Sequence, residues 1–135
     1  MSPKNVQQLT KMSDDLYQEQ LMELAQHPLH QGHLDHPDLT TSATNASCGD
    51  AVSIEIALTD PENKNSPIKD LKWQGKGCII SQATMSALAE FMIGKSVNDV
   101  ATLNQTQLES WLGITDISIG RIKCLFLGVN ALRKI

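Results

Sequence analysis

At 135 residues the chain is long enough to bury a core without disulfide staples, and it is read as one domain spanning residues 1–135. Its hydrophobic fraction of 41% suits a soluble globular protein, while a net charge of −4 gives no electrostatic support to a role on nucleic acid or on an anionic membrane. No apolar run reaches the length of a membrane span, and three cysteines, an odd number, fit thiols in a reducing cytoplasm better than a disulfide framework.

Met1 to Met12 is polar and expected to be frayed or disordered, with no apolar leader core after Met1-Ser2-Pro3-Lys4. Ser13 is a good N-cap with Asp14 and Asp15 behind it. Leu16, Tyr17, Gln20, Leu21, Leu24 and Ala25 then recur at helical spacing. This helix should stop near His27, because Pro28 disfavours a helical residue before it. Residues 27–38 read as a loop carrying all four histidines, His27, His30, His33 and His36. Their spacing by three invites a metal-site reading, but Pro28, Gly32 and Pro37 argue against the continuous helix that would align them.

Leu39 to Ser47 is a candidate edge strand, and Asn45 to Asp50 a turn containing Cys48. Ala51–Leu58 and Ile68–Gln74 read as strands joined by a long polar tip, with Leu71 and Trp73 on one face. Pairing them as an antiparallel hairpin brings Cys48, just before the first strand, and Cys78, just after the second, to the same end of the sheet. Cys78 to Ile93 is helical with Gly94 as its stop, and Met85 and Met92 on its apolar stripe are read as core. Short helices are expected over Ser96–Val100 and Asn104–Leu112, a connector over 113–120, and a last helix over Ile119–Lys134 with Cys124 early in it. The sum is an α+β fold: a small antiparallel sheet, an amino-terminal helix, and several carboxy-terminal helices packed on one face.

The stretch from Gly75 to Met92 organises the rest. Glycines at 75 and 77 permit unusual backbone conformations and close approach of a ligand. A helix starting near Cys78 sets its sulfur beside unpaired N–H groups, which lowers a thiol pKa and favours thiolate, the form that binds metals and attacks sulfur. Cys48 and Cys124 are best read as its partners.

Three motifs in order carry a resemblance. Tyr17 to Gly32, with His27-Pro28 and Gly32, is followed by Cys48-Gly49-Asp50, by Gly75-x-Gly77-Cys78-x-x-Ser81-x-Ala83, and by Arg121-Ile122-Lys123-Cys124 with Leu127 and Ala131-Leu132. Together they resemble the iron–sulfur cluster scaffold family called IscU, SufU and NifU amino-terminal domain. Lys123 stands where IscU proteins have histidine, as in the SufU branch. The segment between Cys78 and Cys124 is too short for the usual SufU insertion. Asn45-Ala46 replaces Asn-Pro, and Ile117-Ser118-Ile119-Gly120 lies near the position of the IscU chaperone-binding segment.

The resemblance implies Cys48, Asp50, Cys78 and Cys124 as metal ligands, three thiolates and one more exchangeable carboxylate. Lys123 and Arg121 stand beside the site, Lys123 favouring thiolate, pairing with Asp50 in the absence of metal, or simply solvated. Three functions follow. The first is a scaffold, a non-enzymatic role, that receives sulfur from a cysteine desulfurase of SufS or IscS type, assembles a transient [2Fe–2S] cluster and passes it to apo iron–sulfur proteins or carriers. The second is a sulfurtransferase in which Zn2+ holds the site and Cys124 accepts persulfide sulfur. The third is a structural zinc module, disfavoured because closed structural sites prefer Cys and His.

Overall fold

The computed structural model describes residues 19–45, 49–115 and 117–135. Residues 19–26 are helical (α1), and the His27 N–H still bonds Glu23 at 2.9 Å before Pro28 ends the run. The capping residues Ser13 to Asp15, and Leu16 and Tyr17 of its apolar stripe, lie outside the described residues.

Three strands follow in the order in which they pair: β1 (Leu39–Asn45), β2 (Asp50–Leu58) and β3 (Ile68–Lys76), all antiparallel. The alternation of β2 puts Val52, Ile54, Ile56 and Leu58 in the core, with Ser53 exposed and Glu55 half-buried on the other face. An irregularity at Ala57/Leu58 pairs Leu58 with Ile68 and Ala57 with Asp70. That extra residue turns Ile68 to the same buried side as Leu71 and Trp73 despite its odd spacing. The tip holds itself by Asx turns: Asp60 Oδ1 accepts from the Glu62 N–H, and Asn63 Oδ1 from the Asn65 N–H. β3 runs two residues further than its apolar pattern suggests, to Lys76, because its backbone keeps pairing with Ala51 and Val52.

Five helical segments cover the apolar face. These are α2 (Ile79–Met92), a 3-10 helix (Val97–Thr102), α3 (Gln105–Leu112), then α4 (Ile119–Leu125) and α5 (Leu127–Arg133). Ser96 and Asp99 close a reciprocal capping box, and the Asn104 side chain caps α3. Gly94, at φ +91, follows the last turn of α2, and its N–H bonds the Ile68 carbonyl. Met85 and Met92 are buried core, as their place on the stripe suggests.

The expected single helix over Ile119–Lys134 is two. Phe126 departs from helical geometry at φ −95, ψ 3. Both halves touch α2, but their other partners differ: α4 packs on α3, whereas α5 lies over β1, β2 and the 3-10 helix. The chain bends where these surfaces meet. Gly128, just past the bend, lies so close to α2 that an added Cβ would collide with the Met85 sulfur and with Leu88.

The loop after α1 is docked on the free edge of β3 through Trp73. The Trp73 N–H donates to the His30 carbonyl, its carbonyl accepts from the Gly32 N–H, and its indole Nε1 donates to the Leu29 carbonyl at 2.8 Å. Gln31 thereby forms an isolated parallel bridge to Trp73. His30 takes a left-handed conformation (φ +61) to make these contacts, a cost of about 1–2 kcal/mol for a non-glycine residue. At the opposite edge, Lys134 Nζ donates to the Ser42 carbonyl and Thr41 Oγ1 to the Ala131 carbonyl, tying β1 to the end of α5.

Trp73→Phe should keep the ring buried but delete the indole donor. We expect destabilisation by about 1–3 kcal/mol in urea unfolding, and faster amide exchange at Gly32, whose bond depends on the docked loop.

Candidate metal centre

Three elements bring three of the predicted site residues together. Asp50 opens β2, directly across from Asn45, and Cys78 ends the β3–α2 junction as the N-cap of α2. Cys124 lies on the inner side of α4, which packs on α2. The Asp50 carboxylate and the Cys78 and Cys124 sulfurs lie within 4.8 Å of one another. Neither Cys78 nor Cys124 is in a disulfide. Cys48, the fourth predicted ligand, lies outside the described residues, in the four-residue link between paired Asn45 and Asp50.

The fit is tight. Asp50 is only 2% exposed, and the Cys78 thiol donates to its Oδ2 at 3.9 Å. A Cβ on Gly77 would stand 2.7 Å from the Asp50 carboxyl oxygen and would collide with the Ser81 hydroxyl. Gly75 has a different neighbour from the ligand that the sequence suggests: an added Cβ would strike the Ala51 carbonyl and stand 3.1 Å from Val52 Cα. The glycine at 75 therefore serves strand packing, and the glycine at 77 makes room for the carboxylate.

The two thiols differ. Cys124 is 2% exposed, whereas Cys78 is half-buried beside the exposed run Gly75–Gly77. Burial pushes the Cys78 thiol up. The Ser81 N–H, the Cys124 side chain, the Ile80 N–H and the Ser81 hydroxyl together outweigh it and hold the thiol below its usual value. Those N–H groups belong to the first turn of α2, the position anticipated for a sulfur at a helix start. Ser81 was part of the motif but carried no assigned role. It is 3% exposed, and its hydroxyl also donates to the Cys78 carbonyl at 3.0 Å. Its place three residues after an N-cap is the signal that could have marked it.

Lys123 and Arg121 are both exposed. Among the described residues no ion pair joins Lys123 to Asp50. Lys123 instead borders a recess of about 320 Å³ lined by both polar and apolar residues, among them Thr44, Asn45, Leu127 and Asn130. The histidines do not gather. His30 Nε2 meets Glu90 at 2.5 Å and His33 Nδ1 meets Glu55 at 3.3 Å, on different elements. Glu55 lies below its ordinary value chiefly because the Leu34 N–H donates to it, with His33 adding to the effect against burial.

Two sulfurs and a buried oxygen at this spacing suit a thiophilic ion such as zinc or sulfide-bridged iron, and would not suit magnesium or calcium, which take oxygen shells. Among the described residues no helix is long and apolar enough to cross a membrane.

Comparison with known proteins gives a consistent picture. The family described as NifU-like N terminal domain matches residues 16–134. A Thermotoga maritima protein named iron–sulfur cluster assembly scaffold protein IscU is 27% identical over 134 residues, covering 88% of this chain and 91% of that protein. An Azotobacter vinelandii protein of the same name is 27% identical over 120 residues, covering 87% and 88%. Among solved structures, a candidate iron–sulfur cluster assembly scaffold for the SUF system from Fervidobacterium islandicum superposes with a TM-score of 0.71 at 24% identity, covering 86% of this chain and 93% of that one. The amino-terminal part of a NifU-like protein from Brucella abortus gives 0.71 at 19% identity, covering 91% and 93%. These two share the fold, three antiparallel strands with helices on one face.

Two predictions follow from the geometry. Gly77→Ala should displace Asp50 and weaken zinc retention by about tenfold in chelator competition, with an unchanged circular dichroism spectrum. In the metal-free protein, carboxymethylation of Cys78 should rise with pH as thiolate forms, with a midpoint below pH 9.0, the ordinary thiol value, while Cys124 reacts more slowly.

Proposed function

The chain belongs to the NifU-like N terminal domain family, and from that premise we propose that it is an iron–sulfur cluster assembly scaffold. The observation that carries this reading is the meeting of Asp50, Cys78 and Cys124 within 4.8 Å in a chain matched over 16–134. Cys48 would add a third thiolate from the β1–β2 link. A [2Fe–2S] cluster needs four terminal ligands, and three sulfurs with one oxygen meet that number. The cluster is cargo here, so its ligands must hold it and also release it. A carboxylate is a harder partner for iron than a fourth thiolate, and Asp50 is the ligand that would exchange first. Cys124 would be the thiol that retains sulfur delivered by a cysteine desulfurase of SufS or IscS type. Apo iron–sulfur proteins or carriers would take the product, in a reducing compartment such as the cytoplasm, where unbridged thiols persist.

The donor set also supports a second reading. Three sulfurs and one oxygen complete a tetrahedral shell for Zn2+. The protein would then be a sulfur acceptor held together by zinc, with Cys124 carrying persulfide rather than building a cluster.

Metal analysis separates the two. Protein purified without oxygen should contain iron and acid-labile sulfide in equal amounts. Zinc without sulfide would move the assignment to the second reading. Incubation with a cysteine desulfurase and L-cysteine should leave one added sulfur on Cys124, seen by peptide mass spectrometry. Absence of added sulfur on every cysteine would remove both readings.

A further inference from the structure

We propose that Ser81 is a positioning residue of the loaded site, its hydroxyl turning from the Cys78 carbonyl to the Cys78 sulfur when that sulfur binds metal. The inference rests on the reading of Cys78 as a metal ligand in the scaffold, and it gives a role to a buried hydroxyl at the start of α2.

Three donors converge on the Cys78 sulfur. Two are the Ile80 and Ser81 N–H groups in the first turn of α2, and the third is the Ser81 hydroxyl. The backbone pair comes with any helix that starts at this position. The hydroxyl depends on the residue at 81. Ser81 is only 3% exposed, and its hydroxyl faces Asp50 across the space that Gly77 leaves open. A Cβ on Gly77 would stand 2.7 Å from the Asp50 oxygen and would also strike the Ser81 hydroxyl. The other buried hydroxyls of α2 have carbonyl partners of their own, Thr84 donating to Ile80 and Ser86 to Leu24.

The bond that Ser81 makes in the empty site is dispensable. Its hydroxyl donates to the Cys78 carbonyl at 3.0 Å, and that carbonyl also accepts the Gln82 N–H at 3.1 Å. Turning the hydroxyl away therefore strands no acceptor. Loading the site changes what it can turn to. As a thiol, Cys78 donates to Asp50 Oδ2. As a metal-bound thiolate it has lost that proton and can only accept, and a hydrogen bond to a charged acceptor is stronger than one to a neutral carbonyl. Asp50, the other nearby acceptor, would have an oxygen on the metal. A hydrogen bond to a ligating sulfur draws negative charge off the metal and is one of the levers on its potential.

The test uses the metal-stripped full chain loaded with Co2+ alone, whose bonds to thiolate absorb in the near ultraviolet, and then the chain reconstituted with a [2Fe–2S] cluster. Ser81→Ala, a better helix former, should bind Co2+ with the same band intensity, with the sulfur-to-cobalt band moved to lower energy. Ser81→Gly deletes the same hydroxyl and should move the band alike. In the reconstituted protein Ser81→Ala should weaken the preference for the reduced cluster about tenfold, which for one electron is a midpoint about 59 mV lower. Ser81→Thr, which keeps the hydroxyl, should return both readouts toward wild type. A folded Ser81→Thr that behaves as Ser81→Ala overturns the role, as does an unmoved band in Ser81→Ala and Ser81→Gly. An unmoved band with faster loss of Co2+ places the bond on Asp50 and overturns it too. Failure of every form to take up a cluster removes the scaffold reading, whereas the Co2+ band still decides the role of Ser81.

Discussion

The site depends on one close approach, that of Asp50 at the start of β2 to the Gly77–Cys78 junction between β3 and α2. A carboxylate 2% exposed with a thiol at 3.9 Å is an expensive arrangement. Removing an unpaired charge from water costs several kcal/mol unless a counter-charge compensates it. The fold makes the approach possible by omitting a side chain at Gly77, and keeps the strands tight beneath it by omitting one at Gly75. Among the described residues no cation pairs with Asp50. A bound metal ion would supply the missing positive charge, which gives the site a physical reason to prefer its loaded state.

The three clustered side chains come from three elements in two layers: β2 in the sheet, the β3–α2 junction, and α4 in the helical cover. Their spacing is therefore set by how α4 seats on α2. A helix of seven residues has little stability of its own. Its position is held by packing on α2 and α3, and the bend at Phe126 gives it a direction different from that of α5, which also covers β1 and β2.

Much of this was legible in the residues. The alternation in Ala51–Leu58, the Pro28 stop, the short helices beginning near Ser96 and Asn104 and the stripe from Ile79 to Met92 are local signals, and the strands and helices follow them. The proximity of Asp50 to Cys78 follows from hairpin pairing, a property of order along the chain. What could not be read depends on distant partners. The stripe from Ile119 to Leu132 looks continuous because periodicity reports which residues are apolar, not which surface each half meets. Gly75 could not be distinguished from a ligand-facing glycine without the Ala51 carbonyl in view. The extra residue near Ile68 reverses a parity that the sequence alone leaves ambiguous. Lys123 adjoins Cys124 in sequence, yet a helix sends neighbouring residues to different sides.

The two edges of the sheet bear on how such a protein lives among others. A strand edge is a row of unsatisfied donors and acceptors that will pair with any extended chain, including another copy of itself. Here the β3 edge is occupied at Trp73 by the loop around Gln31. The β1 edge, whose residues Leu39–Asn45 are uncharged and without proline, has the Ser42 carbonyl engaged by the Lys134 ammonium. An ammonium group set on an uncharged strand discourages stacking of one sheet against the next. Lys134 thus guards the outer edge of the sheet from a position 92 residues further along the chain.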